Sequence, residues 1–190
     1  MPNSKNKKRK SDVLSMVEIS LCSAILCICA YITIPLPFLP VPITLQLFAV
    51  ILTSLLFKPR HAFTAQLIYT FLGLVGLPVF SGGRSGIGTI LSPTGGFIIG
   101  FLIVSFLISL CKGKKESLTR YIITSIFIGI PIIYIFGISF FMIYTNADFI
   151  SAISQIVSIF IIIDIIKCIL ASITAITLRK TLKKSNIILK

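Results

Sequence analysis

Acidic residues are scarce in this chain of 190 residues, which has 5 Asp and Glu against 18 Lys and Arg. With so few charges and 56% apolar residues, the chain cannot cover a core with polar surface, which excludes an ordinary soluble domain. The mean hydropathy of +1.05 predicts a protein that needs an apolar solvent, namely a lipid bilayer. Nucleic acid is not an expected partner, because the basic residues lie in short clusters between apolar runs.

Groups that perform chemistry are also few. His61 is the only histidine, and no second carboxylate or histidine accompanies Asp164 in its apolar run. These absences argue against a metal site, a general acid–base pair and a nucleophilic dyad, so we expect no metal, no cofactor and no enzymatic activity. The 5 cysteines lie in or at the ends of apolar runs and are interpreted as packing residues, not as a disulfide framework.

Six apolar runs are present, with bounds of about 13–34, 43–57, 62–77, 94–111, 120–144 and 150–178. A bilayer core of about 30 Å needs roughly 20 apolar residues per helix, or fewer where a segment is short. The sequence therefore predicts an all-α, polytopic membrane protein with six transmembrane helices in one membrane domain, 13–178. Basic tails are predicted at 1–12 and 179–190. The first run is long and lacks a small-residue cleavage site, so we expect a retained span and not a signal peptide.

The basic residues predict the orientation in the membrane, since Lys and Arg favour the cytoplasmic side. The two tails and the turns after the second and fourth runs contain 16 of them, whereas the other loops contain only Arg84, and Lys167 lies inside the last run. Both termini are therefore predicted to be cytoplasmic. The expected location is the bacterial plasma membrane, as a multi-pass protein in contact with membrane lipid.

A glycine-rich loop, SGGRSGIGTILSPTGG at 81–96, raises the question of nucleotide binding. A phosphate-binding P-loop requires a lysine before its final hydroxyl residue, but here Ile87 precedes Gly88 and Thr89. The loop is also predicted to face outside, where ATP is scarce, so nucleotide binding is excluded. Its glycines would let the backbone approach a ligand closely. Arg84 could attract an anion or anchor at lipid headgroups, and the sequence leaves both interpretations open.

Asp164 and Lys167 are the most informative charged residues, because they lie in the apolar stretch IFIIIDIIKCILA. Their i, i+3 spacing places them on one helix face, where they can pair. A charge near the bilayer centre costs about 2.5–3.5 kcal/mol on insertion scales, so such residues normally face the bundle interior. The pair is either structural or a ligand clamp, in which the carboxylate accepts from ligand N–H groups and the ammonium donates to a carbonyl or carboxylate.

A proline-rich segment, PLPFLPVPITLQ at 35–46, follows the first run. Its prolines exclude a regular helix and favour extended backbone, which predicts either a stiff hairpin or a lid over an outward cavity. Thr44 and Gln46 would add hydrogen-bonding groups at the mouth of the second span. Tyr69, in the third run, is expected in the core with a hydroxyl that needs a partner. The small residues of the first span, Ser20 and Ala24 among them, give a smooth face for packing or for a partner protein.

Four segments in order resemble the BioY family, the biotin-specific substrate-binding component of energy-coupling factor transporters: VPITLQLFAVIL, LIYTFLGLVGLPVFSGG, LSPTGGFIIGF and the D-x-x-K of Asp164 and Lys167. The resemblance extends over about 19–178. It implies a six-helix membrane protein that takes biotin from outside into an outward pocket. It also implies a coupling transmembrane subunit and two ATPase subunits as partners, although some members of the family are thought to function without a dedicated module.

The resemblance further implies that Asp164 and Lys167 lie near the ligand head group, that the proline-rich segment is a lid, and that Ser20 and Ala24 dock on the coupling subunit. Together with the residues above, the candidate substrate-binding set is Asp164, Lys167, Arg84, Thr44, Gln46 and Tyr69, and the lid and loop set is Pro35, Pro37, Pro40, Pro42, Gly82 and Gly83. Phe97 departs from the tyrosine that is usual in the family. The alternatives are a component for another vitamin, an intramembrane enzyme acting on lipid, and a helical scaffold.

Overall fold

The structure, a computed structural model, describes residues 4–113 and 116–184. Its elements in chain order are α1 (Ser4–Tyr31), β1 (Thr33–Leu36), β2 (Leu39–Thr44), α2 (Gln46–Leu56), α3 (Pro59–Leu74), α4 (Ile87–Ile90), α5 (Gly95–Cys111), α6 (Leu118–Thr124), α7 (Ile130–Thr145) and α8 (Phe149–Lys184). The tails predicted at 1–12 and 179–190 are helical where they are described, whereas 1–3 and 185–190 lie outside the described residues.

The chain is mostly helical, as the sequence predicts. Three helical segments are long and apolar enough to cross a membrane, namely Asp12–Tyr31, Leu118–Thr145 and Phe149–Lys184. The helices α2, α3 and α5 correspond approximately to the other three apolar runs. They have 11, 16 and 17 residues and are shorter than the three long segments. Large apolar side chains such as Leu21, Phe127 and Ile162 are exposed on the outer helix faces, which is typical of contact with lipid.

The proline-rich segment differs from the all-α prediction, because it forms a two-stranded antiparallel hairpin from β1 and β2. Thr33 pairs with Thr44, and an irregularity follows Ile34. Prolines are tolerated here because both strands are edges, where a missing N–H interrupts no interior ladder. Leu39 and Val41 of β2 are buried. The segment is therefore a hairpin that also covers the end of the bundle.

The central helix is α2, whose residues are all buried except the half-buried Phe48. It packs against α8, α5 and α1, while α3 packs against α1 and α5. A proline in the first turn of α3 explains why the two helices are separate: Pro59 has no N–H to continue α2 but suits the start of a helix. The helix α2 therefore runs through the middle of the core, from the β1–β2 hairpin towards the opposite end of the bundle.

Glycines allow α5 and α7 to approach closely. A Cβ on Gly96 would lie 2.1 Å from the carbonyl oxygen of Phe136, and one on Gly137 would lie 2.5 Å from the ring of Phe97. A larger residue at Gly96 would push the backbones of the two helices apart, whereas one at Gly137 would require the Phe97 ring to move. The spacing of Gly96 and Gly100 on one face of α5 is the small-residue pattern that permits such contact.

A π turn at Ser125–Gly129 joins α6 to α7 within one long helical segment. Pro131 is the second residue after it, and its missing N–H and its ring both disfavour a regular α turn at this point. The Sγ of Cys168 on α8 donates to the Ser125 carbonyl at 3.8 Å. A π turn takes one more residue than an α turn, so it rotates the following helix by about 100°.

Candidate ligand-binding site

A cavity opens at the end of the bundle that carries the β1–β2 hairpin and the glycine-rich loop, here called the hairpin end. It encloses about 590 Å³ of space, part of it open solvent. Five of the residues predicted for the site line this cavity: Asp164, Lys167, Thr44, Gln46 and Pro42. Most of the remaining wall is apolar and includes Val41, Leu47, Phe80, Phe97, Ile98, Phe101, Ile133 and Phe160.

The acidic and basic residues of α8 form an ion pair in the cavity wall. Lys167 Nζ donates to Asp164 Oδ1 at 3.0 Å, and the two residues are 9% and 5% exposed. Tyr134 Oη on α7 donates to the other carboxylate oxygen, Oδ2, also at 3.0 Å. The negative charge of Asp164 is therefore contacted by one cation and one neutral donor, which come from two different helices.

This arrangement leaves hydrogen-bonding capacity for a ligand. Each carboxylate oxygen has about two acceptor sites, so Asp164 retains one on each oxygen after bonding Lys167 and Tyr134. The Lys167 ammonium carries three donors, and its hydrogen bonds within the described residues use one. The pair presents an acceptor beside a donor within a largely apolar cavity, where each is stronger than in water.

Gln46 is held in the cavity wall by Tyr69. The Nε2 of Gln46 donates to Tyr69 Oη at 3.0 Å, which leaves the amide oxygen and the second N–H to bond a ligand. Tyr69 itself is fully buried and does not line the cavity. Its ring packs in a T-shaped arrangement with the ring of Phe80, a cavity residue, with centroids 5.7 Å apart. Tyr69 therefore supports two wall residues from behind.

The glycine-rich loop contributes hydroxyl groups. Ser81, Thr89 and Thr94 line the cavity. The hydroxyls of Thr89 and Thr94 have partners in the loop, the Ser85 carbonyl at 2.9 Å and Ser92 Oγ at 2.9 Å. The Ser81 hydroxyl is different, because it is buried with no hydrogen-bond partner among the described residues. A ligand in the cavity is the natural partner for it, since an unpaired buried polar group is costly.

The other predicted loop and lid residues lie around the cavity and not in its wall. Gly82 and Gly83 have φ values of 69° and 75°, and so they form the turn that follows Ser81. Arg84 is exposed and outside the wall, with its carbonyl accepting from the Phe80 N–H at 3.0 Å. Of the four prolines, Pro42 lines the cavity, whereas three are exposed: Pro35, Pro37 and Pro40.

Comparison with known proteins decides the family. A model of the BioY family matches residues 4–184. The chain belongs to the BioY family. It is 34% identical over 180 residues to the biotin transporter BioY2 of Lactococcus lactis subsp. cremoris (strain MG1363), a match that covers 94% of this chain and 97% of the relative.

Two further matches agree with this family. The biotin transporter BioY of Thermotoga maritima is 34% identical over 165 residues, with 87% of this chain and 95% of the relative covered. A solved crystal structure, of the S-component for biotin from an ECF-type ABC transporter, matches with a TM-score of 0.80 and 27% identity over 95% of both chains.

The features of this BioY-family chain that sequence reasoning missed all depend on tertiary contacts. Tyr134 lies 30 residues from its partner Asp164, so no local spacing connects them. A tyrosine in an apolar helix was a possible signal, since a buried hydroxyl needs a partner. Ser81 was visible within the glycine-rich loop, but its orphaned hydroxyl appears only once the loop is folded.

The face predicted to dock on a partner is exposed. Ser20 and Ala24 of α1 are both exposed, together with Leu21 and Ile28, whereas Cys22 and Ser23 face the bundle. Ser23 Oγ donates to the Ala65 carbonyl of α3 at 3.0 Å, which fixes the inward face of α1. The small residues are therefore on the side of the helix that remains available for another protein or for lipid.

Proposed function

We propose that this BioY-family chain captures biotin from outside the cell and carries it into the membrane as the S component of an energy-coupling factor transporter. The observation that supports this most strongly is the buried Asp164–Lys167 pair in the wall of a cavity at the hairpin end. The two most informative relatives are both named biotin transporters. Such a chain is a transport component and not an enzyme.

The chemistry of the cavity suits biotin. The ureido ring of biotin carries N–H groups beside a carbonyl, so one edge of the ring presents a donor next to an acceptor. Asp164 and Lys167 present the complementary order, an acceptor next to a donor. The Ser81 hydroxyl and the Gln46 amide oxygen supply further polar contacts. The fused sulfur ring and valeryl chain match the aromatic and aliphatic walls, as in most small-molecule sites.

The carboxylate of the ligand requires a separate group. Lys167 is already paired with Asp164, and Arg84 lies exposed three residues after Ser81, which lines the cavity. We assign the attraction of the carboxylate to Arg84 at the rim, with Lys167 as the alternative. A rim charge of this kind acts mainly on the rate of capture and depends on salt.

The topology that fits this function has six transmembrane helices, with α6 and α7 forming one span and both termini in the cytoplasm of a bacterial cell. Three long apolar helices support it, as do described basic residues such as Lys58, Lys112 and Arg179, which lie at the end opposite the hairpin. The short helix α2 is buried by protein, so its length need not match the full bilayer. In this orientation the cavity opens to the outside.

Transport needs an energy source, and the sequence contains no P-loop. The partners we propose are a coupling transmembrane subunit and two ATPase subunits. The exposed α1 face with Ser20 and Ala24 would dock on the coupling subunit, and the other apolar faces would contact membrane lipid.

The direct test is equilibrium binding of labelled biotin to the purified chain in detergent, with unlabelled biotin, thiamine and riboflavin as competitors. We expect saturable binding that only unlabelled biotin displaces. Displacement by another vitamin at a lower concentration would reassign the substrate, and the absence of saturable biotin binding would contradict the proposal.

A further inference from the structure

Tyr134 is a buried side chain behind the cavity wall that contacts the proposed ligand-binding carboxylate. It is 7% exposed, it does not line the cavity, and its hydroxyl donates to Asp164 Oδ2 at 3.0 Å. We propose that Tyr134 is a positioning residue, which fixes the plane of the Asp164 carboxylate so that its remaining acceptor sites face the ureido N–H of the ligand. This inference rests on the proposed function.

A carboxylate held by one partner is poorly oriented. The terminal torsion of Asp is broad and roughly two-fold, so a single contact with the flexible Lys167 side chain leaves the plane of the oxygens free to rotate. Tyr134, on a different helix, donates to the other carboxylate oxygen, and this second contact prevents the rotation. A carboxylate that is already oriented before binding raises affinity, because the ligand does not have to order it.

The tyrosine is placed by an irregular feature of its helix. The π turn at Ser125–Gly129 and the following Pro131 set the register of α7, and Tyr134 lies one turn after the start of that helix. A regular α-helix through the same residues would turn the face of α7 by about 100°, which would direct Tyr134 away from α8. A buried hydroxyl is costly without a partner, and the bond to Asp164 removes that cost for Tyr134.

The matched control is Tyr121, which is on the same helical segment. Tyr121 is fully buried and Tyr134 nearly so, but the Tyr121 hydroxyl has no partner among the described residues and Tyr121 is not a cavity residue. Removing each hydroxyl with phenylalanine keeps the ring and its packing. The two variants therefore differ in the contact with Asp164 and not in the size of the change.

The experiment measures biotin affinity by equilibrium binding for the unsubstituted chain, Tyr134→Phe, Tyr121→Phe, Asp164→Asn and the double variant Tyr134→Phe/Asp164→Asn. Loss of a hydrogen bond to a charged group predicts about a tenfold weaker affinity for Tyr134→Phe, while Tyr121→Phe stays within about twofold. In the Asp164→Asn background, Tyr134→Phe should weaken binding by about twofold or less, because the two side chains act as one unit.

Equal effects of Tyr134→Phe in the presence and absence of the Asp164 carboxylate would overturn the positioning role, since a purely structural contribution is additive. Unchanged affinity in Tyr134→Phe would also overturn it, while leaving the proposed function intact. Failure of the unsubstituted chain to bind biotin would instead contradict the proposed function, and with it the inference. Melting temperatures of all variants in detergent identify any loss of folding.

Discussion

The two ends of the bundle both bury charged side chains, but they use them differently. At the end opposite the hairpin, here called the basic end, Lys112 is 6% exposed and donates to the Ser54 carbonyl at 2.9 Å and to that of Phe57. Arg179 donates to the Leu56 carbonyl at 2.6 Å. The Ser54 and Leu56 carbonyls belong to the last turn of α2 and the Phe57 carbonyl to its C-cap. Carbonyls at a helix C-terminus have no partners inside the helix, so side-chain N–H donors can bond them.

Further pairs at the basic end connect separate parts of the chain. Glu18 of α1 contacts His61 of α3 at 2.9 Å, and Glu116, in the loop before α6, contacts Lys183 of α8 at 3.0 Å. At the hairpin end, by contrast, the Asp164–Lys167 pair and the Ser81 hydroxyl adjoin a cavity. A buried charge alone therefore does not mark a binding site. A binding site is marked by unused hydrogen-bond donors and acceptors that face a cavity. The following predictions test this distinction, in order of their expected effect on biotin affinity.

The largest effect is expected for Asp164→Ala. Removal of the carboxylate eliminates the acceptor for the ureido N–H and leaves Lys167 and Tyr134 without their partner, so biotin affinity should fall at least about tenfold. Equilibrium binding to the purified protein measures it. Membrane insertion, checked by extraction of membranes with carbonate, should be intact, and an affinity equal to that of the unsubstituted chain would refute the role of Asp164.

A smaller loss is expected for Ser81→Ala. The hydroxyl has no partner among the described residues, so its removal should cost a hydrogen bond only in the complex with biotin, with about a fivefold weaker affinity. Thr89→Val is the matched control, because the Thr89 hydroxyl is already bonded to the Ser85 carbonyl. A Thr89→Val defect as large as that of Ser81→Ala would indicate that the loop acts through its conformation and not through the serine hydroxyl.

How much of this site the sequence predicts depends on the range of the interactions. The sequence predicts the Asp164–Lys167 pair because its spacing is local to one helix, and the extended hairpin because proline acts on its own backbone. Tyr69, which the sequence predicts for the substrate-binding set, stands behind the wall and contacts Gln46. Whether a side chain faces a cavity or supports its wall is decided by packing between helices distant in the chain, which no spacing reveals.

Lys112→Met should leave biotin affinity within about twofold but change stability. Burial, followed by the charge of Arg179, lowers the pKa of Lys112 to about 7. From about pH 7 up to the ordinary pKa range of lysine, the unfolded chain therefore binds more protons than the folded chain. The stability of the unsubstituted chain, relative to that of Lys112→Met, should rise with pH over this range. Melting temperatures of both proteins at pH 7 and pH 9 test this, and a difference independent of pH would contradict it.

The smallest effect on affinity is expected for Ala24→Leu on the exposed face of α1. The side chain faces away from the bundle, so purified protein should bind biotin as before. Uptake of labelled biotin by cells that also express the coupling and ATPase subunits should decrease, because a larger residue prevents close approach of a partner helix. Phe71→Leu, on an exposed face of α3, is a control substitution. Normal uptake with Ala24→Leu would exclude this face as the docking surface.

The most direct measurement is an experimental structure of the chain with biotin bound. We expect the ureido ring in the cavity of the hairpin end, with an N–H within hydrogen-bond distance of the Asp164 carboxylate and the neighbouring carbonyl toward Lys167. Biotin located elsewhere, or bound in this cavity with its ureido ring remote from Asp164, would contradict the proposed binding site.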